Sequence, residues 1–594
     1  ITVDQAIKIA LENYNIQGTA KPLPGEIDFN FKIDATDGAE YILKVSRPDE
    51  NADYLDFQQK LLLYANDQAK DLTVPKVIRD RQGNLISEIK DEYGNIRKVR
   101  LLSWISGRVW STVNPQLDNL RDSLGGQCGR LTRALQGFDH PEAHRKFVWD
   151  IAEGAWTTDH LHLFSGEQKE IVSYFQDQFK QARSGYSQLR KAVVHNDAND
   201  NNVIVSQDLI SPKVVSAIDF GDSVYTQIIN DLAVACAYAI MGHNDPLEAA
   251  IPIVRGYHRS FPLEENELEH LYMAIAMRLV ISVTKSAINK KEEPDNTYLL
   301  ISEKPAWELL RKWKDVNADF AHYSFREACG YSAHPKEETF AAWAKKQNLS
   351  LDKLFPTIGS NSIHPLDLSV SSKWIGHEMD FNDLDFFQYK LNKLQHKHPT
   401  RILAGGYLEP RPIYTTSSYD KIGNTGRESR SIHLGVDFWL PADTPVHALF
   451  DGEVVTAVND KGDKEYGGLV ILKHREEGSE FYTLYGHLSV ASATRYAVGS
   501  IIKAGDVIGV LGNWPENGNW APHLHFQIML SLLQYKIDFP GVAYQSQLAV
   551  WKSLCPDPNL LFKTKGLVER QATSNSDIIG YRKQHLGKSL SLQY

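Results

Sequence analysis

The sequence predicts a multidomain α+β protein: a bilobal N-terminal half, β-rich lobe first and helical lobe second, then an antiparallel all-β half. Three observations point there. At 594 residues the chain is too long for a single hydrophobic core. Up to about residue 335 it passes from apolar strands to helical leucine spacing, with a polar loop and a short hairpin between. From about residue 400, short apolar runs alternate with glycine turns.

Taken in order, Phe29 to Asp34 and Tyr41 to Val45 read as a hairpin around an Asp37-Gly38 turn, and Tyr54 to Ala65 as a helix. Val99 to Ile105 is a further strand, Leu117 to Leu135 has helical spacing, and residues 145–190 read as helical. Asn202 to Val205 and Val214 to Phe220 are short β runs across a polar turn with Pro212, and helical patterns resume from Asp231. This is the layout of a protein-kinase-like bilobal fold over residues 1–335. Residues 336–399, polar and punctuated by Pro356, Gly359 and Pro365, read as a connector. Val446 to Ala448, Gly452 to Val458, Gly468 to His474, Phe481 to His487, Val507 to Leu511 and His523 to Met529 are the strands expected in a domain at 400–565. Residues 566–594 form a polar tail.

A net charge of -10 gives no basic field, so neither nucleic acid nor a membrane surface is an expected partner. The four cysteines, Cys128, Cys236, Cys329 and Cys555, form no C-x-x-C pair, which fits a reducing compartment. No apolar run is read as reaching the ~18 residues of a membrane span. Ile1 to Asp4 opens without a basic and then apolar segment, and the expected location is the cytoplasm.

The chemistry-bearing residues of the first half lie in His195-Asn196-Asp197-Ala198-Asn199-Asp200-Asn201-Asn202 and in Ile218-Asp219-Phe220-Gly221-Asp222. Phosphoryl transfer needs a carboxylate beside the attacking hydroxyl, oxygen ligands for Mg²⁺ and a cation on the phosphates. Asp197 suits the first role; Asn202, five residues on, and Asp219 suit the second. These motifs resemble the aminoglycoside phosphotransferase/choline kinase superfamily and, within it, hydroxylysine kinases. The resemblance implies ATP as donor, a hydroxylated amino acid or amine as acceptor, and Lys44 of Tyr41-Ile42-Leu43-Lys44-Val45 on the phosphates. It makes Leu23 to Phe31 the phosphate-covering loop and Leu101-Leu102-Ser103-Trp104, through Ser103 and Trp104, the adenine hinge. Two departures stand out: the covering loop has only Gly25, and the helix that should give Lys44 a Glu partner offers Asp56, Gln58 or Gln59. His195 and Asp231 are expected to brace the loop.

The second half carries His433-Leu434-Gly435-Val436-Asp437, Tyr485-Gly486-His487-Leu488-Ser489 and His523-Leu524-His525-Phe526. Residues two apart on a strand share a face, so His523 and His525 point into one groove. Three protein ligands with an open fourth position make a catalytic zinc site. The motifs are similar to those of the LytM/lysostaphin (M23) peptidases. The resemblance makes His433, Asp437 and His525 the Zn²⁺ ligands, with His487 and His523 assisting the water and the oxyanion, and a short peptide or amide as substrate. Trp520-Ala521-Pro522, where glycine commonly precedes the proline, is expected to narrow the groove; His447 and His474 match no ligand position.

Gly580 to Gly587 resembles the opening of class III aminotransferase-like PLP enzymes, which implies a missing PLP phospho-lyase domain after residues 566–594 and a homodimer. The function expected is an ATP-dependent kinase for a small hydroxylated amino compound joined to a zinc hydrolase. Two alternatives stay open: a zinc metallopeptidase with a non-catalytic kinase-like binding module, or a scaffold for a PLP phospho-lyase.

Overall fold

The computed structural model describes residues 1–25, 28–292, 303–370, 372, 374–375, 378–414 and 416–567. The chain divides into two compact units, Ile1–Cys329 and Gly330–Tyr594. The tail carrying the aminotransferase-like stretch lies outside the described residues, as do Glu26 and Ile27 of the covering loop.

The first unit opens with α1 (Val3–Tyr14), started by a capping box between Thr2 and Gln5. A six-stranded antiparallel sheet follows, built from β1 (Gly18–Leu23), β2 (Phe29–Ala35), β3 (Glu40–Val45), β4 (Val77–Ile78), β5 (Ser87–Lys90) and β6 (Ile96–Ser103), with α2 (Ala52–Gln68) between β3 and β4. Its order is β1-β2-β3-β6-β4, with β5 also on β6. Alternation sends Leu43 and Val45 into a core with Phe31, Val99 and Leu101. Lys44 therefore faces the other way, between Asn30 on β2 and Arg100 on β6.

The helical lobe contains β7 (Arg108–Val109), α3 (Asp118–Ala134), a 3-10 segment at Ile151–Leu163, α4 (Gly166–Tyr186), β8 (Lys191–Val194), β9 (Val203–Val205), β10 (Val214–Ala217), β11 (Val224–Gln227), α5 (Ile229–Ala239), α6 (Pro246–Ser260), α7 (Glu265–Glu292), α8 (Glu303–Asp315) and α9 (Ala318–Ala328). Two small sheets, β10-β9-β7 and β11-β8, hold the loop at 195–202 from either side. One expectation needs correction here: α7 is long and apolar enough to span a bilayer by length and composition. Of its most apolar window, 83% is buried within the unit, which makes it the core helix of this lobe.

Glycines set the spacing of α3 and α6. A Cβ on Gly125 would fall 1.9 Å from Ile253 O, and one on Gly256 2.0 Å from Asp122 O. Thr132 on α3 hydrogen-bonds Tyr257 on α6 at 2.8 Å and donates to Asp231 at 3.3 Å, so this seam reaches the 195–202 loop.

The second unit revises the connector. Residues 336–399 carry α10 (Glu337–Ala344), β12 (Ile363–Pro365), α11 (Glu378–Asn382) and α12 (Leu384–Lys397). Phe381, Phe387 and Leu391 are buried with Trp439, Trp520 and Ala521, so the segment is part of this unit's core. Its scattered prolines and lysines hid a partly buried pattern too short for periodicity to reveal. The strands are β13 (Ile402–Gly405), β14 (Asp420–Ile422), β15 (Arg427–Ser429), β16 (Ile432–His433), β17 (Val436–Trp439), β18 (Pro445–His447), β19 (Gly452–Asp460), β20 (Gly467–Glu476), β21 (Ser479–Leu488), β22 (Ile501–Ile502), β23 (Val507–Val510), β24 (Leu524–Met529) and β25 (Val542–Ala543). Eight of them form one sheet, β12-β13-β17-β24-β21-β20-β19-β22, antiparallel except for the β12–β13 pair. The all-β expectation thus holds for the strands of this sheet, while helices contribute to the core beside it.

The glycine seam gives the first prediction. Gly256→Ala forces a methyl against the α3 backbone and should cost about 1–3 kcal/mol, read as a lower denaturation midpoint of the first unit.

Candidate active sites

In the first unit, Asp197, Asn202 and Asp219 lie on the loop between β8 and β9 and at the end of β10. The loop is braced as expected. His195 is fully buried, its Nε2 donates to Ile218 O at 3.1 Å, and its Nδ1 accepts from Asp197 N at 3.2 Å. Burial holds its pKa down, so it is a neutral strut. Asp231 accepts from Asn196 N at 3.0 Å.

Asn202 Nδ2 donates to Asp197 Oδ2 at 2.7 Å, which turns its amide oxygen away as a ligand atom. Asp219 adopts a left-handed backbone, φ 61°, and its carboxylate sits 3.5 Å from Lys44 Nζ. Lys44 holds the Asp219 carboxyl below its usual range. The geometry thus joins Asp197 to Asn202 and Lys44 to Asp219 on the two sides of one β9–β10 hairpin.

The helix departure resolves in an unforeseen way. Asp56 pairs with Lys60 at 2.6 Å, and Gln58 accepts from Arg100 Nη1 at 2.5 Å. Arg100 also pairs with Asp28 of the covering loop. The sheet-to-helix link is therefore made from β6, one strand over from Lys44. Tyr54 on α2 adds a hydrogen bond to Gly221 O, and Arg145 donates to Gly221 O and Ser223 O at 3.1 and 2.7 Å.

Ser103 ends β6 and Trp104 follows it, and both backbone N–H groups are engaged: Ser103 N with Lys76 O at 2.9 Å, Trp104 N with Glu40 O at 3.0 Å. A base seated at this strand end would have to use other atoms of the segment. Arg278 on α7 was missed by sequence reasoning. It is buried and places Nη2 2.7 Å from Asp197 Oδ1. Burial pushes the Asp197 carboxyl up, and the Arg278 guanidinium beside it pulls it back down. No motif flags Arg278, which sits 81 residues from Asp197 inside the apolar middle of α7.

In the second unit the register makes Asp437 on β17 the direct partner of His525 on β24, with Gly486 on the far side of His525. His433 enters from β16. His433 Nε2 lies 2.9 Å from His525 Nδ1 and 3.3 Å from Asp437 Oδ1, and His525 Nδ1 lies 3.1 Å from Asp437 Oδ1. All three residues are buried.

The outer hydrogen bonds fix which atoms are bare. His433 Nδ1 donates to Gly406 O at 3.0 Å, and His525 Nε2 donates to Gln527 Oε1 at 2.9 Å. Gln527 is oriented by its own donation to Pro540 O. Each imidazole thus turns an unprotonated nitrogen inward, the arrangement in which metal-binding histidines are held. Three acceptor atoms facing one another call for a cation, and their spacing is close to the roughly 3.4 Å edge of a tetrahedron with ~2.1 Å arms. His487 and His523 are held alike, through Nδ1 to Asn517 O at 2.9 Å and to Ala521 O at 2.8 Å, with ring centroids 4.3 Å apart. His474, between Asp451 O and Thr483, is structural.

The second oxygen of Asp437 is also committed. Arg411 Nη1 donates to Asp437 Oδ2 at 2.6 Å, and its Nε donates to Glu409 Oε2 at 2.8 Å. His433 N donates to Glu409 O at 3.0 Å, and Leu408 N to His433 O at 2.8 Å. Gly406, at φ 111°, leaves the room: a Cβ there would lie 2.0 Å from Arg411 Nη2 and 2.9 Å from His433 Nδ1. Sequence reasoning passed over Glu409 and Arg411, which precede the first histidine motif by more than twenty residues.

These groups open onto a cleft of about 570 Å³ lined also by Trp439, Trp520, Tyr466, Lys464 and Glu465. Ala521 does not narrow it; its methyl is buried in the cluster with Phe381 and Trp439.

Residues 19–268 match the phosphotransferase enzyme family, and residues 431–536 match peptidase family M23. The chain carries a phosphotransferase domain and an M23 peptidase domain. Hydroxylysine kinase of Mus musculus is 25% identical to it over 320 residues, 50% of this chain and 84% of the relative. Lysostaphin of Staphylococcus staphylolyticus is 32% identical over 157 residues, 25% of this chain but only 31% of the relative. The solved amicoumacin kinase hAmiN covers 53% of this chain and 93% of its own, at 18% identity and a TM-score of 0.41.

Two predictions concern the peptidase domain. Arg411→Met leaves two buried carboxylates without their counter-ion, which should cost about 3–5 kcal/mol and weaken any binding of added zinc at the His433–Asp437–His525 cluster about 10–100-fold, read by chelator competition. Burial pushes His433 down to about 3 and His523 down to about 4, and holds His487 well below its usual value. At these three histidines the unfolded chain binds more protons than the folded one below about pH 6.5, while Glu465, pushed up to about 7 by burial, opposes one of them. Chelated protein should lose stability as pH falls from about 6.5 toward 4, and denaturant titrations at several pH values will show it.

Proposed function

We propose that the phosphotransferase domain moves the γ-phosphoryl group of ATP to the hydroxyl of a small amino acid or amine, and that the M23 domain hydrolyses a peptide or amide bond with zinc. What supports the first half is the placement of Asp197, held by Asn202, opposite the Lys44–Asp219 pair. Lys44 would take the α- and β-phosphates, while Asn202 Oδ1 and Asp219 would hold Mg²⁺. That ion, when bound, neutralises charge on the phosphates. Asp197 receives the proton of the attacking hydroxyl. The acceptor class follows the hydroxylysine kinase relatives. The need for ATP favours a cytoplasmic setting.

For the second half, His433 Nε2, His525 Nδ1 and Asp437 Oδ1 would hold the zinc ion. Zinc, when bound, polarises a carbonyl and lowers the pKa of its water. The inward Nε2 atoms of His487 and His523 would act as proton acceptors beside the metal, and the imidazolium so formed would donate to a developing oxyanion. The aromatic walls of the cleft, Trp439 and Trp520, fit the flat backbone of a short peptide.

Phosphate transfer from ATP to a panel of hydroxylated amines and amino acids tests the kinase reading. Asp197→Asn should lower turnover about 10²–10⁴-fold in a protein that still melts cooperatively; activity near wild type, or no turnover of any acceptor by wild type, would refute it. For the hydrolase reading, His525→Ala should abolish both bound zinc and peptide cleavage. Zinc-loaded wild type that cleaves no peptide or amide would count against it.

A further inference from the structure

We propose that Arg278 is a positioning residue that selects which oxygen of Asp197 takes the acceptor proton, an inference that rests on the kinase reading above. The two carboxylate oxygens are not equivalent. Oδ2 accepts from Asn202 Nδ2 at 2.7 Å and from Asn199 Nδ2 at 3.0 Å, which uses both of its lone pairs. Among the described residues Oδ1 accepts one bond, from Arg278 Nη2 at 2.7 Å, which leaves it a lone pair.

Arg278 is itself immobilised. Its side chain is 2% exposed, Nη1 donates to Trp149 O at 2.9 Å, and the guanidinium lies 4.9 Å from the Trp149 ring and 5.5 Å from the Tyr238 ring. A planar fork wedged between two rings fixes the direction of its N–H groups more firmly than an ammonium would. With Oδ2 saturated, the loop amides set the tilt of the carboxylate and Arg278 sets its rotation. Oδ1 is left as the basic atom.

In the transfer step the acceptor oxygen bonds to the γ-phosphorus. The bond from that phosphorus to the β–γ bridging oxygen breaks, ADP leaves with the electron pair, and the hydroxyl proton goes to Oδ1. With its side chain 2% exposed and its Nη2 on Asp197 Oδ1, Arg278 has almost no surface to offer a substrate and acts through Asp197. A residue that merely stabilises α7 would behave differently, because its loss would not depend on what stands at position 197.

The test is a double-mutant cycle on the full chain with MgATP, using 5-hydroxylysine as acceptor and water (ATP hydrolysis) as the second acceptor. Arg278→Met should lower kcat about 30-fold, a part of what a general base contributes, with KM for ATP within about twofold. Arg278→Lys should recover part of the loss. In an Asp197→Asn background, adding Arg278→Met should change kcat by less than about twofold. That double variant removes both buried charges and remains informative if the single Arg278→Met fails to fold. An unchanged kcat in Arg278→Met, a KM for ATP that rises in step, or additive losses in the double variant would overturn the inference. Wild type that transfers phosphate to neither acceptor would instead refute the kinase reading, and this one with it.

Discussion

With the outer nitrogens of both rings donating, His433 Nε2, His525 Nδ1 and Asp437 Oδ1 face one another as acceptors within 3.3 Å in a buried site. Such a cluster repels itself, and burial removes the water that would screen it. It persists because each atom's back side is tied down: Gly406 O and Gln527 Oε1 hold the rings, and Arg411 holds the carboxylate. The β17–β24 register, the β16 entry strand and the 406–411 loop all converge on those ties. A cation of the right size is the natural relief of this stored repulsion.

The phosphotransferase domain solves a related problem with side chains of its own. Asp197 and Asp219 flank the open end of one hairpin, and each has a cation at its side, Arg278 and Lys44 respectively. Arg100 takes over the link to α2 through Gln58, so Lys44 stays engaged with Asp219. The missing glutamate on α2 is therefore a rearrangement of charge in this lobe. It gives no support to a purely binding role for the domain.

Much of this was legible in the sequence because the site residues lie in short runs whose spacing is set by strand and loop geometry. Asp197 to Asn202, Ile218 to Asp222 and His523 to His525 carry their own positions with them. The supporting residues were not legible. Arg278 lies in an apolar helix, Arg411 and Glu409 in a loop without periodicity, and each acts across the fold on a partner far off in sequence. The connector reading failed for a related reason. Phe381 and Phe387 are buried by Trp439 and Trp520, residues that only the folded chain brings near.

Gly406 shows how a residue without a side chain can govern chemistry it does not perform. Its carbonyl fixes the tautomer of one imidazole, and its bare α-carbon leaves room for the guanidinium beside the neighbouring carboxylate. The arrangement of the cluster is thus constrained at a position that contributes none of its three facing atoms. Any redesign of the centre has to begin by preserving an empty space.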